Sequence, residues 1–209
     1  MESLDAKHRR AKKIIVYLRR RDPHPKIALH YATPIQLLVA VILSAQCTDK
    51  KVNEVTSTLF KKYKTAKNFA NANPNTFMQE IHSTGFFRAK TKNIINACKL
   101  IVTRFNGRLP QTMKDILTLP GVARKTANVV LGNAYGIVEG IAVDTHMIRI
   151  NQRLGFTKHT DPVKIERDLM DIIPHKDWFD YTYLIINYGR STCPARHKTG
   201  CDCPIYRIR

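Results

Sequence analysis

Acidic residues are scarce in this chain: 16 Asp and Glu stand against 35 Lys and Arg, which leaves a formal net charge of +19. Such an imbalance disfavours polycationic partners and concentrates polyanions around the protein, nucleic acid being the commonest of them. Long apolar runs are also missing. The longest, Leu37 to Leu43, has seven residues, whereas a membrane-spanning helix needs roughly 20, so no membrane association is expected. The N-terminal stretch is polar and basic, with no apolar signal-peptide core behind it. Cysteines number only five, an odd count, with three of them in the last 17 residues. That distribution is unlike a secreted disulfide framework and points to a reducing, intracellular compartment. Internal repeats, low-complexity linkers and strand-like alternation are absent as well, and no assembly signal is visible, so a monomer is expected.

What is present is helical patterning. From Ala6 to Arg21 a basic stretch carries Ile14, Ile15 and Leu18 on one side. Thr33 and Pro34 supply an N-cap and a first-turn proline for a helix whose body, Ile35 to Leu43, is apolar all round and therefore buried. It ends in the small and polar Ser44-Ala45-Gln46, where the chain should emerge at a surface. Helices are further expected over Lys50 to Tyr63, Asn75 to His82 and Lys90 to Phe105, the last with Ile94, Ile95, Cys98 and Ile101 or Val102 inward. Thr112 to Asp115 reads as a capping box opening a short helix that runs to Leu119. After Pro120-Gly121 a helix follows from Lys125 to Asn133, then Asp144 to Leu154 with Asp144 as N-cap. The helix after Asp161-Pro162 carries Ile165, Leu169, Ile172 and Ile173, and the last runs from Asp177 to Tyr188, closed by Gly189. The expectation is an all-α protein of about nine to eleven helices.

The stretch richest in chemistry is Leu119-Pro-Gly-Val-Ala-Arg-Lys125-Thr-Ala-Asn-Val-Val-Leu131. A tight turn between two helices aims backbone N–H groups and a helix N-terminus outward, and Arg124 and Lys125 add positive charge there. A DNA phosphate can occupy such a place without its sequence being read. Helical hairpins with Pro-Gly turns also occur in proteins that bind nothing, so the turn gains its meaning from the surrounding charge.

LPGVARKTANVVL, followed by IAVDTH at Ile141 to His146, closely resembles the helix-hairpin-helix signature and catalytic loop of the endonuclease III family. LLVAVILSAQCTDKKVN (Leu37 to Asn53) and HSTGFFRAKTKNI (His82 to Ile94) match that family in order and spacing, and the resemblance extends from about Ile14 to Cys203. It implies one glycosylase unit over 1–209, built as two helical subdomains with the active-site cleft between them. The central subdomain would span about 25–135 with the hairpin at 113–133; the terminal one would combine about 1–24 with 136–209, including a degenerate Cys-rich tail at 193–209. The hairpin's second glycine is replaced by Ala123 beside Gly121, which should narrow the backbone's freedom without abolishing the turn.

By this resemblance Lys125 is the nucleophile: its neutral amine attacks C1′, expels the base and forms a Schiff base. The iminium acidifies the C2′ proton, and β-elimination breaks the strand. An amine with reference pKa near ~10.4 must lose its proton first, so partial burial or Arg124 is expected to lower that value. Asp144 is the essential carboxylate, stabilising the oxocarbenium character of a sugar losing its base or taking up the lysine's proton; a plain N-cap role is compatible with either. His146 contacts DNA or supports the loop. Gln46 fills the gap left by an extruded nucleotide, and Phe86, with Phe87 and Arg88 beside it, is the apolar wedge. Gly121, Ala123 and Arg124 belong to the phosphate-binding hairpin.

The implied activity is that of a bifunctional glycosylase and abasic-site lyase on duplex DNA bearing damaged bases, with oxidised pyrimidines as substrates. The alternatives are a monofunctional or mismatch-type glycosylase, whose relatives lack the lysine, and a non-catalytic binder of bent or abasic DNA. Many relatives end in C-x6-C-x2-C-x5-C and hold a [4Fe–4S] cluster. Here Cys193 and Cys203 keep the outer interval, but Gly200 takes the second place, Cys201 falls one step late, and Arg209 stands at the fourth. The expectation is that the cluster is absent, that no cofactor is required for the chemistry, and that packing holds the tail. The competing reading is a truncated chain or an atypical cluster on Cys193, Cys201 and Cys203.

Overall fold

The computed structural model describes residues 2–195 and 203–209. Among them lie eleven α-helices: α1 (Leu4–Arg21), α2 (Pro34–Leu43), α3 (Asp49–Lys62), α4 (Ala66–Ala70), α5 (Pro74–Glu80), α6 (Phe87–Arg104), α7 (Met113–Ile116), α8 (Arg124–Tyr135), α9 (Thr145–Arg153), α10 (Pro162–Ile172) and α11 (Trp178–Ser191). Three 3-10 turns accompany them, and no strand occurs among the described residues. The chain is all-α. It divides into two compact units, one formed by Ala28–Ile137 and the other by Met1–Ile27 with Val138–Arg209.

In the unit formed by Ala28–Ile137, α2 is the central element. Thr33 caps it by accepting the N–H of Gln36, Pro34 starts it, and nine of its ten residues are buried. Each of its large aliphatic side chains contributes roughly 1.5–3 kcal/mol by leaving water, so this helix holds its neighbours α3, α6 and α8 around it. The short α4, not anticipated from periodicity, has a full capping box between Thr65 and Asn68. Its Phe69 stacks on Tyr63 at 5.2 Å and meets the edge of Phe77 at 6.1 Å. α6 begins at Phe87 rather than Lys90 because the left-handed Phe86 (φ 48°, ψ 26°) turns the chain directly into it. α7 stops at Ile116, short of the expected Leu119, and turns carry the chain on to α8.

The other unit is built from α1, α9, α10 and α11. Ala11, Ile14, Ile15 and Leu18 of α1 meet Met147 and Ile150 of α9, the Ile165, Leu169 and Ile172 stripe of α10, and Tyr181, Leu184, Ile185 and Tyr188 of α11. Cys193, Cys203 and Ile205 complete this core. The α11 helix continues through Gly189 to Ser191 instead of closing there, since a helical glycine without a left-handed φ does not end a helix.

Candidate active site

In the Ala28–Ile137 unit the hairpin joins α7 to α8. Thr112 caps α7 by accepting the N–H of Asp115, and Leu119 and Val122 anchor the turn in the core. Gly121 has φ 79°, and a Cβ placed on it would stand 2.8 Å from Cβ of Asn93 on α6. Two independent constraints, a positive φ and no room for a methyl group, therefore demand glycine. Ala123 sits at φ −92°, ψ 170°, an extended conformation open to any L-residue, so the hairpin loses nothing by having alanine there.

Ala123 is the N-cap of α8 and offers no side-chain acceptor. The first turn of α8 thus opens without a protein side chain as its cap, the arrangement that leaves a helix N-terminus available to an anion. Lys125 lies in that first turn and is exposed. The partial burial expected for it is not found: its position directs the side chain outward, away from the buried Ala127, Val130 and Leu131.

Two loops of the same unit expose residues in unusual backbone states. Gln46 is exposed with φ 52°, and Phe86 is 65% exposed with φ 48°. Non-glycine residues with positive φ are uncommon, and for a bulky side chain such as Phe the conformation is a marked outlier. Phe87, half-buried, rests on His82 with ring centroids 4.4 Å apart, and the guanidinium of Arg88 lies 5.7 Å from the Phe87 ring. Phe86 itself has no ring partner among the described residues and is largely open to solvent.

In the other unit, Asp144 is the N-cap of α9 and its Oδ1 accepts the N–H of Met147 at 2.8 Å. One cap bond leaves the rest of the half-buried carboxylate available. His146 follows in the first turn of α9, and its Nδ1 lies 3.2 Å from Nη2 of Arg149. Since a guanidinium can only donate, Nδ1 is the acceptor of a neutral imidazole. Burial holds the His146 pKa below its ordinary value, Asp144 opposes that, and Arg149 and Arg190 reinforce it.

The arginine continues into the tail. Arg149 Nη1 lies 3.3 Å from Sγ of Cys193, Arg153 Nη1 lies at 3.8 Å, and the hydroxyl of Tyr206 is 3.3 Å from the same sulfur. Cys201, one of the possible cluster ligands, lies outside the described residues. Among the described residues no group of three or more His, Cys, Asp or Glu is placed to hold a metal. Of the five cysteines, Cys47 and Cys98 belong to the Ala28–Ile137 unit, Cys98 being fully buried in its core. The cysteines left for the tail number three, which does not fit the four thiolates of a cubane cluster.

Comparison with known proteins places this geometry. Residues 39–175 match the profile of the HhH-GPD superfamily base excision DNA repair proteins. The endonuclease III of Synechocystis sp. is 51% identical over 100% of this chain and 95% of its own length. The chain belongs to the endonuclease III family. The endonuclease III of Bacillus subtilis is 42% identical over 89% of this chain and 85% of its own. Among solved structures, a trapped endonuclease III–DNA covalent intermediate superposes with a TM-score of 0.88 at 37% identity, covering 94% of this chain and 92% of that one. A thermostable thymine-DNA glycosylase shares the fold, with a TM-score of 0.82 at 19% identity over 98% and 95% of the two chains. An endonuclease III homologue is a base excision repair enzyme, a DNA glycosylase and abasic-site lyase. No helix among its described residues is long and apolar enough to cross a membrane.

Three residues have structural roles that their local sequence does not announce. Lys90 is buried on α6, Asn93 seats the hairpin turn, and Gly189 makes room for His146. Only Gly189 left a signal, as an isolated glycine at the end of a helical pattern.

Proposed function

We infer that this endonuclease III homologue removes oxidised pyrimidines from duplex DNA and then cuts the strand, with Lys125 as nucleophile and Asp144 as the essential carboxylate. The observation that carries this reading is the hairpin: an exposed lysine in the first turn of a helix whose N-cap supplies no side chain. A backbone phosphate bound at that N-terminus by the hairpin of Gly121, Ala123 and Arg124 brings the neighbouring sugar to the lysine's turn. The amine attacks C1′ and the C1′–base bond breaks; the base leaves with the glycosidic electron pair. The amine loses a proton and the C1′–O4′ bond opens, leaving an iminium at C1′; this draws electrons from C2′, a proton leaves C2′, and the C3′–O bond breaks. The Asp144 carboxylate stabilises the positive charge that grows on the sugar as the base departs. His146, neutral and held by Arg149, supports that loop or meets the DNA there.

Gln46 and Phe86 serve the extruded state, the first filling the space of the lost nucleotide and the second parting the opposite strand beside Phe87 and Arg88. Their exposure in left-handed backbone positions supports this assignment, because strain held at an exposed tip is characteristic of functional loops. No step passes through an iron–sulfur cluster, and we assign the chain none: Cys193 and Cys203 serve the core of their unit instead. The enzyme acts as a monomer inside the cell, on DNA.

The test is a duplex carrying one thymine glycol, assayed beside duplexes carrying 8-oxoguanine or a G·T mismatch. The reading expects base release from the thymine glycol strand, with a 3′ unsaturated aldehyde at the nick. Release from the mismatch alone, without a nick, supports a monofunctional mismatch enzyme instead.

A further inference from the structure

Among the described residues Lys90 is the one buried lysine. It lies on the first turn of α6 and is only 4% exposed. Burying an ammonium without partners is costly, and burial does lower the pKa of this one. Its Nζ donates to two backbone carbonyls, Leu43 O at 2.8 Å and Thr84 O at 2.8 Å. Its backbone N–H donates to Phe86 O at 3.0 Å.

Those three acceptors are not scattered. Leu43 is the last residue of α2, and its carbonyl is one of those left over where a helix ends, at the negative pole of the dipole. From there the chain turns through Ser44 and Ala45 to Gln46. Thr84 closes the 3-10 turn just before Gly85 and Phe86. The Lys90 side chain therefore ties the base of the Gln46 loop to the base of the Phe86 loop, while the Phe86 carbonyl is held by the ordinary first backbone bond of α6. The loops are far apart in sequence, yet one side chain spans both within a single unit. Both loop tips also hold non-glycine residues at positive φ, a state that persists only where the surroundings hold it.

We propose that Lys90 is a positioning residue that couples the Gln46 and Phe86 loops, so that gap filling and wedge insertion occur as one event on damaged DNA. This rests on the roles given to Gln46 and Phe86 above. A lysine suits the task because an ammonium offers three donors on a flexible stem and can serve two carbonyls at once; methionine keeps the length and loses every side-chain donor.

The experiment measures affinity for a duplex containing a tetrahydrofuran abasic analogue and for the matched intact duplex at one salt concentration. The proteins are the parent, Gln46→Ala, Phe86→Ala and the double variant, each with Lys90 and with Lys90→Met. A 2-aminopurine beside the lesion reports local unstacking in the same complexes. The expected result is that either single loop variant lowers discrimination about tenfold and that the double variant loses little more, because coupled residues fail together. Lys90→Met lowers discrimination by about the same factor, removes the 2-aminopurine rise, and changes intact-duplex affinity by less than about twofold. Losses that simply multiply in the Lys90 background overturn the coupling, and that arm needs no Lys90 variant to fold. A Lys90→Met protein with parental discrimination overturns it too. If neither Gln46→Ala nor Phe86→Ala alters discrimination, the roles of the two loops fail first, and the proposal falls with them.

Discussion

Gly189 of α11 faces the imidazole of His146 so closely that a Cβ on it would stand 2.5 Å from Nδ1 and 3.0 Å from Cγ. The helix tolerates glycine here because the neighbouring α9 needs the space, and the contact seats His146 two residues after Asp144. Gly189→Ala should therefore destabilise the fold by about 1–3 kcal/mol, the usual penalty for overpacking. In a His146→Ala background the same substitution should cost clearly less, since the ring is gone and only the Cβ at 3.1 Å remains. Urea unfolding of the four proteins reads the cycle; equal costs in both backgrounds would mean that the two residues do not press on each other.

The same histidine makes a pH prediction. The fold lowers the His146 pKa, chiefly by burial, with Asp144 opposing and Arg149 and Arg190 assisting. The unfolded chain then binds more protons between that lowered value and the ordinary one near ~6.5. Stability should rise with pH through this window, be fully restored above the ordinary value, and carry the whole penalty below the folded one. His146→Gln should flatten the rise in the window just below about pH 6.5 relative to the parent. Parallel curves for the two proteins would contradict it.

Asp144 has two roles that one substitution can separate. Its cap bond to Met147 stabilises α9, and asparagine caps about as well as aspartate. Asp144→Asn should keep the melting temperature while slowing base removal by about 10² or more, the scale of an electrostatic transition-state group. Asp144→Ala should add a loss of about 1 kcal/mol in stability. An Asn variant with parental single-turnover rate would reduce the residue to a cap.

The excess of cationic residues makes binding to intact duplex sensitive to salt. Engagement of about six phosphates lowers affinity on the order of 10³-fold between roughly 50 and 200 mM salt. Fluorescence anisotropy across that range checks it, and a flat response would detach the +19 charge from DNA.

These residues also mark how far the sequence could be read. Thr33, Thr112, Asp144 and Asp161 announced their helices because a cap oxygen and the following apolar pattern agree, and each does accept the expected N–H. The five-residue α4 escaped since it is too short to show a period, although its Thr65–Asn68 box was there to be seen. Gly189 looked like a stop signal; the imidazole that needs its missing Cβ belongs to another helix and has no trace in local sequence. Lys90 was invisible for the same reason. Lysine is ordinarily an exposed residue, and only the tertiary arrangement brings the Leu43 and Thr84 carbonyls to it. At Lys125 the chemistry favours burial, whereas a first-turn position on the outer side of α8 is exposed.

The central claim is that Lys125 forms the covalent bond to DNA, and borohydride trapping tests it most directly. Sodium borohydride reduces a Schiff base to a stable amine, so an end-labelled abasic duplex becomes cross-linked to the protein. The parent should give a shifted band whose tryptic peptide carries the adduct on Lys125. Lys125→Gln should give no band and no nicking while still binding a tetrahydrofuran duplex within a few-fold of the parent, because glutamine keeps the reach and loses the amine. A Lys125→Gln protein that still traps, or nicks abasic DNA at near the parental rate, would contradict the account.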